Sequence, residues 1–113
     1  MKKYYIFFVF IFYVTSYDVS AAIYKGQMIF ATHCVECHTG RVSFIESHTK
    51  KEWNSLFKNR AKKIIAIHKS INDEEHTEAL SYIQSARFLK KYRNLREFLV
   101  EYAKDSGKVP ACN

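Results

Sequence analysis

The segment Thr32–Gly40, "THCVECHTG", puts two thiols and an imidazole into five consecutive positions, Cys34-Val-Glu-Cys37-His38. Three chemistries compete for that spacing. In covalent haem attachment both thiols form thioethers with the porphyrin vinyl groups, and the adjacent imidazole becomes the proximal iron ligand. Cysteines one helical turn apart straddle the macrocycle edge while the next residue turns inward. A thiol–disulfide redox centre normally opens a helix that follows a strand, and no strand pattern precedes Cys34. A zinc site needs a second pair of ligands; His33, His48, His68 and His76 are available, but none falls at finger spacing.

The compartment bears on the choice. Lys2 and Lys3 precede the apolar run Tyr4 to Val14, and "DVSAA" then offers the small residues that a signal peptidase reads. The run covers eleven positions, short of the roughly 18 to 20 needed to span a bilayer. The expectation is a secretory signal over residues 1–22, cleaved after Ala21 or Ala22, and a single domain over residues 23–113. Export favours haem attachment over the two alternatives. A globule of this size buries a thin core and is often helped by a cofactor.

Three glycines and one proline in 113 residues, among leucine-, lysine- and glutamate-rich segments, predict an all-α domain. The first helix runs from about Ile23 to Thr32, directly up to the motif. Thr49 with Glu52 forms a capping box, and His48 and Trp53 stand where a hydrophobic staple would form. Trp53, Phe57, Ala61, Ile64 and His68 then make one apolar face of a second helix. A third begins at Asn72 or Asp73, with acidic residues that complement its dipole, and presents Ala79, Leu80, Ile83 and Ala86. Beyond Ser85 the stripe changes phase to Phe88, Tyr92, Leu95, Leu99 and Tyr102, which predicts a break and a fourth helix ending before Gly107 and Pro110.

The stretch "GQMIFATHCVECH" resembles the N-terminal helix of class I cytochromes c, in which a glycine and an aromatic precede C-x-x-C-H. Gly26, Phe30 and Cys34 lie on one face, and a residue without Cβ lets two helix axes approach. "INDEEHTEALSYIQS", with Tyr82 near its end, is similar to the helix that closes such cytochromes. "HTKKEW" with the helix after it is similar to a subset of bacterial haem domains. The resemblance is specific from Gly26 to His38, loose from Thr49 to Ser85, and fades after Ala86. It implies a cytochrome c-like helical domain around one covalently attached haem, an extra C-terminal helix, and single-electron transfer in the periplasm.

Two departures from the family matter. The proline whose carbonyl orients the proximal imidazole is absent, so another backbone carbonyl is expected to hold His38. No methionine follows the motif, and Met28 precedes it on the helix, where a core position is expected. The distal iron ligand is therefore sought elsewhere, and His68 is favoured because it continues an apolar stripe and would otherwise need a polar partner. His76 is the alternative, followed by His48, a lysine, Cys112 and an open site. Histidine at both positions would set a lower potential than histidine with methionine. An open site would instead suit a gas sensor or a minor peroxidase.

The chain carries net charge +7, which suits redox partners with acidic docking surfaces or, peripherally, anionic lipid, and an exported chain does not meet nucleic acid. Lys58, Lys62, Lys63 and Lys69 surround the second helix, and Lys90, Lys91, Arg93 and Arg96 crowd the fourth. Either group would speed encounters if it rimmed the haem edge. Cys112 is the leftover thiol, available for a disulfide dimer.

Overall fold

The computed structural model describes residues 18–110, where all regular structure is helical. The elements are α1 (Asp18–His33), α2 (Arg41–Ile45), α3 (Lys50–Leu56), α4 (Lys58–Lys69), α5 (Thr77–Ile83) and α6 (Ala86–Glu101). Lys2, Lys3 and the apolar run Tyr4 to Val14 of the expected signal lie outside the described residues, as does Cys112. The small-residue stretch Asp18–Ala22 forms the first turns of α1. No described helix is long and apolar enough to cross a membrane.

The molecule is built on the crossing of α1 and α6. A Cβ on Gly26 would lie inside the envelope of the Asn94 carbonyl oxygen and 2.7 Å from the Phe98 Cβ. Phe30 follows one turn later and packs on Phe98, ring centres 5.7 Å apart. The helix that meets Gly26 is thus α6, not the Tyr82-bearing α5 expected to close the domain. What reads in the sequence as an appended helix forms half of the central joint.

Burial along α6 explains its place. Phe88, Tyr92, Leu95, Phe98 and Leu99 recur at helical spacing and are all buried. Each such side chain contributes about 1.5–3 kcal/mol, so this stripe outweighs the few tenths by which intrinsic propensities differ among ordinary residues. Ser85 starts the helix, its hydroxyl accepting from Phe88 N–H at 3.3 Å and donating to the Tyr82 carbonyl at 2.6 Å. The helix stops at Glu101, six residues before Gly107, which instead serves a later turn with φ +70.

Local signals hold at α3. Thr49 Oγ1 accepts from Glu52 N–H, and a Glu52 carboxylate oxygen accepts from Thr49 N–H at 2.7 Å. His48 packs on Trp53 with ring centres 4.5 Å apart. The second helix drawn from sequence, however, is two. Asn59, Arg60 and Ala61 adopt left-handed φ values of 54, 58 and 59, a conformation that costs about 1–2 kcal/mol per L-residue. The turn keeps Trp53, Phe57 and Ala61 buried in one core while redirecting α4.

Two further expectations change. The third helix starts at Thr77 rather than Asn72 or Asp73, because the Asp73 carboxylate accepts from Glu75 N–H at 2.9 Å and binds His76, holding that segment as a turn. Met28, expected in the core, is 50% exposed.

Candidate functional site

The cysteine-histidine motif continues α1 by one turn. Cys34 N–H donates to the Phe30 carbonyl at 3.0 Å, and His38 N–H to the Cys34 carbonyl at 2.9 Å. This turn aims Cys34 and His38 inward, both half-buried, and leaves Cys37 exposed. The two thiols are not joined to each other. Burial, and then the neighbouring Cys37, push the Cys34 thiol up to about 12. The Cys37 thiol is also raised, first by burial and then by the carboxylates of Asp73 and Glu36.

His38 and His68 come together at the core, edge to face. Their ring centres are 6.3 Å apart, with ring planes crossing at 78°. Between and around them lies an apolar cavity of about 30 Å³, lined by Cys34, His38 and His68 together with Phe30, Phe44, Trp53, Phe57 and Ile64 among others. His68 Nδ1–H donates to the Ile64 carbonyl at 2.7 Å. A carbonyl only accepts, so this bond puts a proton on Nδ1, and Nε2 is the nitrogen through which this ring would bind a metal.

His38 is held differently from expectation. Among the described residues no backbone carbonyl accepts from its ring. Phe44, on α2, stacks on it instead, ring centres 3.8 Å apart and 21° from parallel. Burial, then the charge of His68, lower the His38 pKa, so the ring is neutral at neutral pH and its lone pair is available. Sequence reasoning passed over Phe44, since a five-residue helix offers no periodicity; the only available sign was an apolar pair, Phe44-Ile45, in an otherwise polar stretch.

The other candidates stand elsewhere. His76 lies outside the apolar cavity and bonds Asp73 at 2.7 Å, which raises its pKa. Asp73, Glu75 and His76 offer ligand atoms within 4.8 Å of one another, the one such group among the described residues, and it contains no cysteine. His48 accepts or donates to Ser47 Oγ at 2.7 Å beside Trp53. His33 stacks on Tyr82, ring centres 3.5 Å apart and nearly parallel. The basic groups are split: Lys62 and Lys69 line a shallow hollow with Leu89, whereas Lys91 lines a different one with Lys25 and Arg87.

The arrangement can hold a metal between two imidazoles. An imidazole nitrogen sits about 2 Å from a metal it binds and roughly 1.1 Å from its own ring centre, given ring bonds of about 1.3–1.4 Å. Two imidazoles on opposite sides of one metal therefore have ring centres about 6 Å apart, and His38 and His68 stand at 6.3 Å. No protein-family model matches the chain, and no curated protein or solved structure is significantly similar to it.

Proposed function

We propose that this chain is a c-type haem protein that relays single electrons between other proteins in the periplasm. The observation that carries the reading is the His38–His68 pair, 6.3 Å between ring centres, in an apolar cavity that Cys34 also lines. Cys34 and Cys37 would anchor the porphyrin, with His38 as proximal and His68 as distal ligand. The donor set fits the group: two thiols one turn apart, two imidazoles and aromatic walls. The cavity, at about 30 Å³, is far smaller than a macrocycle, so entry requires the side chains that line it to part.

When bound, a haem supplies a ferric/ferrous couple that accepts and gives up one electron. The protein's part is to hold and tune it. The Ile64 carbonyl orients His68 through Nδ1–H, and Phe44 fixes the plane of His38. Phe30, Trp53, Phe57 and Ile64 keep water away, which lowers the local dielectric around the ligands. Cationic groups on α4 and α6 suit partners with acidic docking surfaces, reached faster at low salt.

The thiol-exchange reading finds opposite support. A reactive cysteine has a lowered pKa, and that of Cys34 is raised to about 12. Denaturing the exported protein, extracting it with acidified organic solvent and weighing the polypeptide tests the proposal. One haem's mass remaining on the chain is the expected result; a colourless polypeptide of unmodified mass overturns it.

A further inference from the structure

Away from the two imidazoles, a groove of about 360 Å³ runs along the α1–α6 joint, lined by Lys25, Met28, His33, Tyr82, Arg87 and Lys91 among others. Its size falls in the range of small-molecule sites, roughly 300–1,000 Å³. Three features of its walls point to one class of ligand.

First, its lining is cationic. Lys25, Arg87 and Lys91 are exposed, no carboxylate lines the groove, and none of the three forms an ion pair among the described residues. Glu78 shares an adjoining hollow with Arg87, His33 and Tyr82, and Glu36 and Glu78 line another with Thr32 and His33. Second, it has an aromatic wall: the half-buried His33 stacks on the buried Tyr82 with ring centres 3.5 Å apart, and Arg87 stands over the Tyr82 ring at 5.6 Å, so His33 is the ring left to meet a ligand. Third, Ile29 and the half-exposed Met28 give it an apolar flank, and Met28 is a side chain that adapts to irregular ligands.

We infer that this groove is a binding site for a small organic anion with a flat apolar body, its charge held by Lys25, Arg87 and Lys91 and its plane lying against the His33 ring that Tyr82 backs. Either wall alone selects weakly. Cations by themselves attract any anion, and an aromatic face attracts any flat molecule; together they require both properties in one ligand. The groove shares no lining residue with the His38–His68 cavity.

Calorimetric titration of the full-length protein, as purified, with 2-naphthoate, 2-naphthamide and inorganic phosphate decides the matter. Saturable one-to-one binding of 2-naphthoate is expected, with the neutral amide and phosphate each at least about tenfold weaker. Arg87→Gln with Lys91→Gln, both at exposed positions, is expected to weaken 2-naphthoate by at least about tenfold. Absence of saturable binding, equal affinity for the amide or for phosphate, or no loss in the double variant would each overturn the assignment.

Discussion

Gly26 of α1 lies against the main chain of α6 at Asn94, so close that even a methyl group finds no room: its Cβ would overlap the Asn94 carbonyl oxygen and stand 2.7 Å from the Phe98 Cβ. The obstacle is backbone and cannot swing aside. Gly26→Ala gains about 1 kcal/mol of helix propensity but must separate the helices, an overpacking cost of typically 1–3 kcal/mol and occasionally more. A net loss of up to about 2 kcal/mol is expected in urea unfolding. A variant more stable than the wild type would show that α1 and α6 do not cross at this residue.

The His38–His68 geometry makes a spectral prediction. If the proposed haem is bound, His68→Ala should convert a low-spin spectrum to a high-spin one that binds carbon monoxide, since the imidazole that stands 6.3 Å from His38 is removed. His76→Ala should leave the spectrum low-spin, because that ring is bonded to Asp73 outside the cavity. Two unchanged spectra would eliminate His68 as the distal ligand and the five-coordinate alternative alike.

The two motif cysteines should differ in reactivity when no haem is attached. Cys37 is exposed, whereas Cys34 is half-buried with its thiol pushed up to about 12. Alkylation with iodoacetamide at pH 8, followed by peptide mapping, should label Cys37 well before Cys34. Equal rates would mean that the turn at the end of α1 does not carry Cys34 inward.

What the sequence disclosed was local. The Thr49–Glu52 box, the staple of His48 on Trp53 and the run Cys34 to His38 each involve residues within one or two turns, where side chain and backbone determine the outcome together. The spacing of Trp53, Phe57, Ala61, Ile64 and His68 marked one core face, yet it concealed the left-handed turn, because that turn preserves the face while changing the path. Gly26 announced a close helix crossing without naming the partner. Asn94 and Phe98 lie about 70 residues away, and only packing selects α6 over α5. Asp73 misled in another way: acidic residues before an apolar stripe read as the first turn of a helix, but its carboxylate captures Glu75 N–H and His76, and the helix waits until Thr77.

His33 supplies a pH dependence with a definite sign. Burial first, and then Arg87, lower its pKa from 6.5, against a weaker opposing pull from Glu78. The unfolded chain therefore binds a proton at His33 more readily than the folded one, and stability rises with pH across that window. Its destabilising effect is absent well above pH 6.5 and grows as pH falls through 6.5 toward the lower folded value. His33→Phe keeps a ring against Tyr82 without the titration. The stability difference between variant and wild type should shift in the variant's favour between pH 7.5 and pH 5 in paired denaturant unfolding; a constant difference would remove His33 from the acid response.

The left-handed turn offers the sharpest test of the path between α3 and α4. Arg60 is exposed with φ 58, and Ala61 is fully buried with φ 59. Glycine at either site relieves about 1–2 kcal/mol of left-handed strain and costs roughly 0.5–1 kcal/mol of unfolded-chain entropy. Arg60→Gly loses nothing else and should stabilise by about 0.5–1 kcal/mol. Ala61→Gly also gives up a buried methyl, about 0.8 kcal/mol, and should come out near neutral. In an ordinary right-handed helix both substitutions destabilise, Arg60→Gly by about 1 kcal/mol. Denaturant unfolding of the two variants beside the wild type thus separates a turn from a continuous helix, because the sign at position 60 reverses between them.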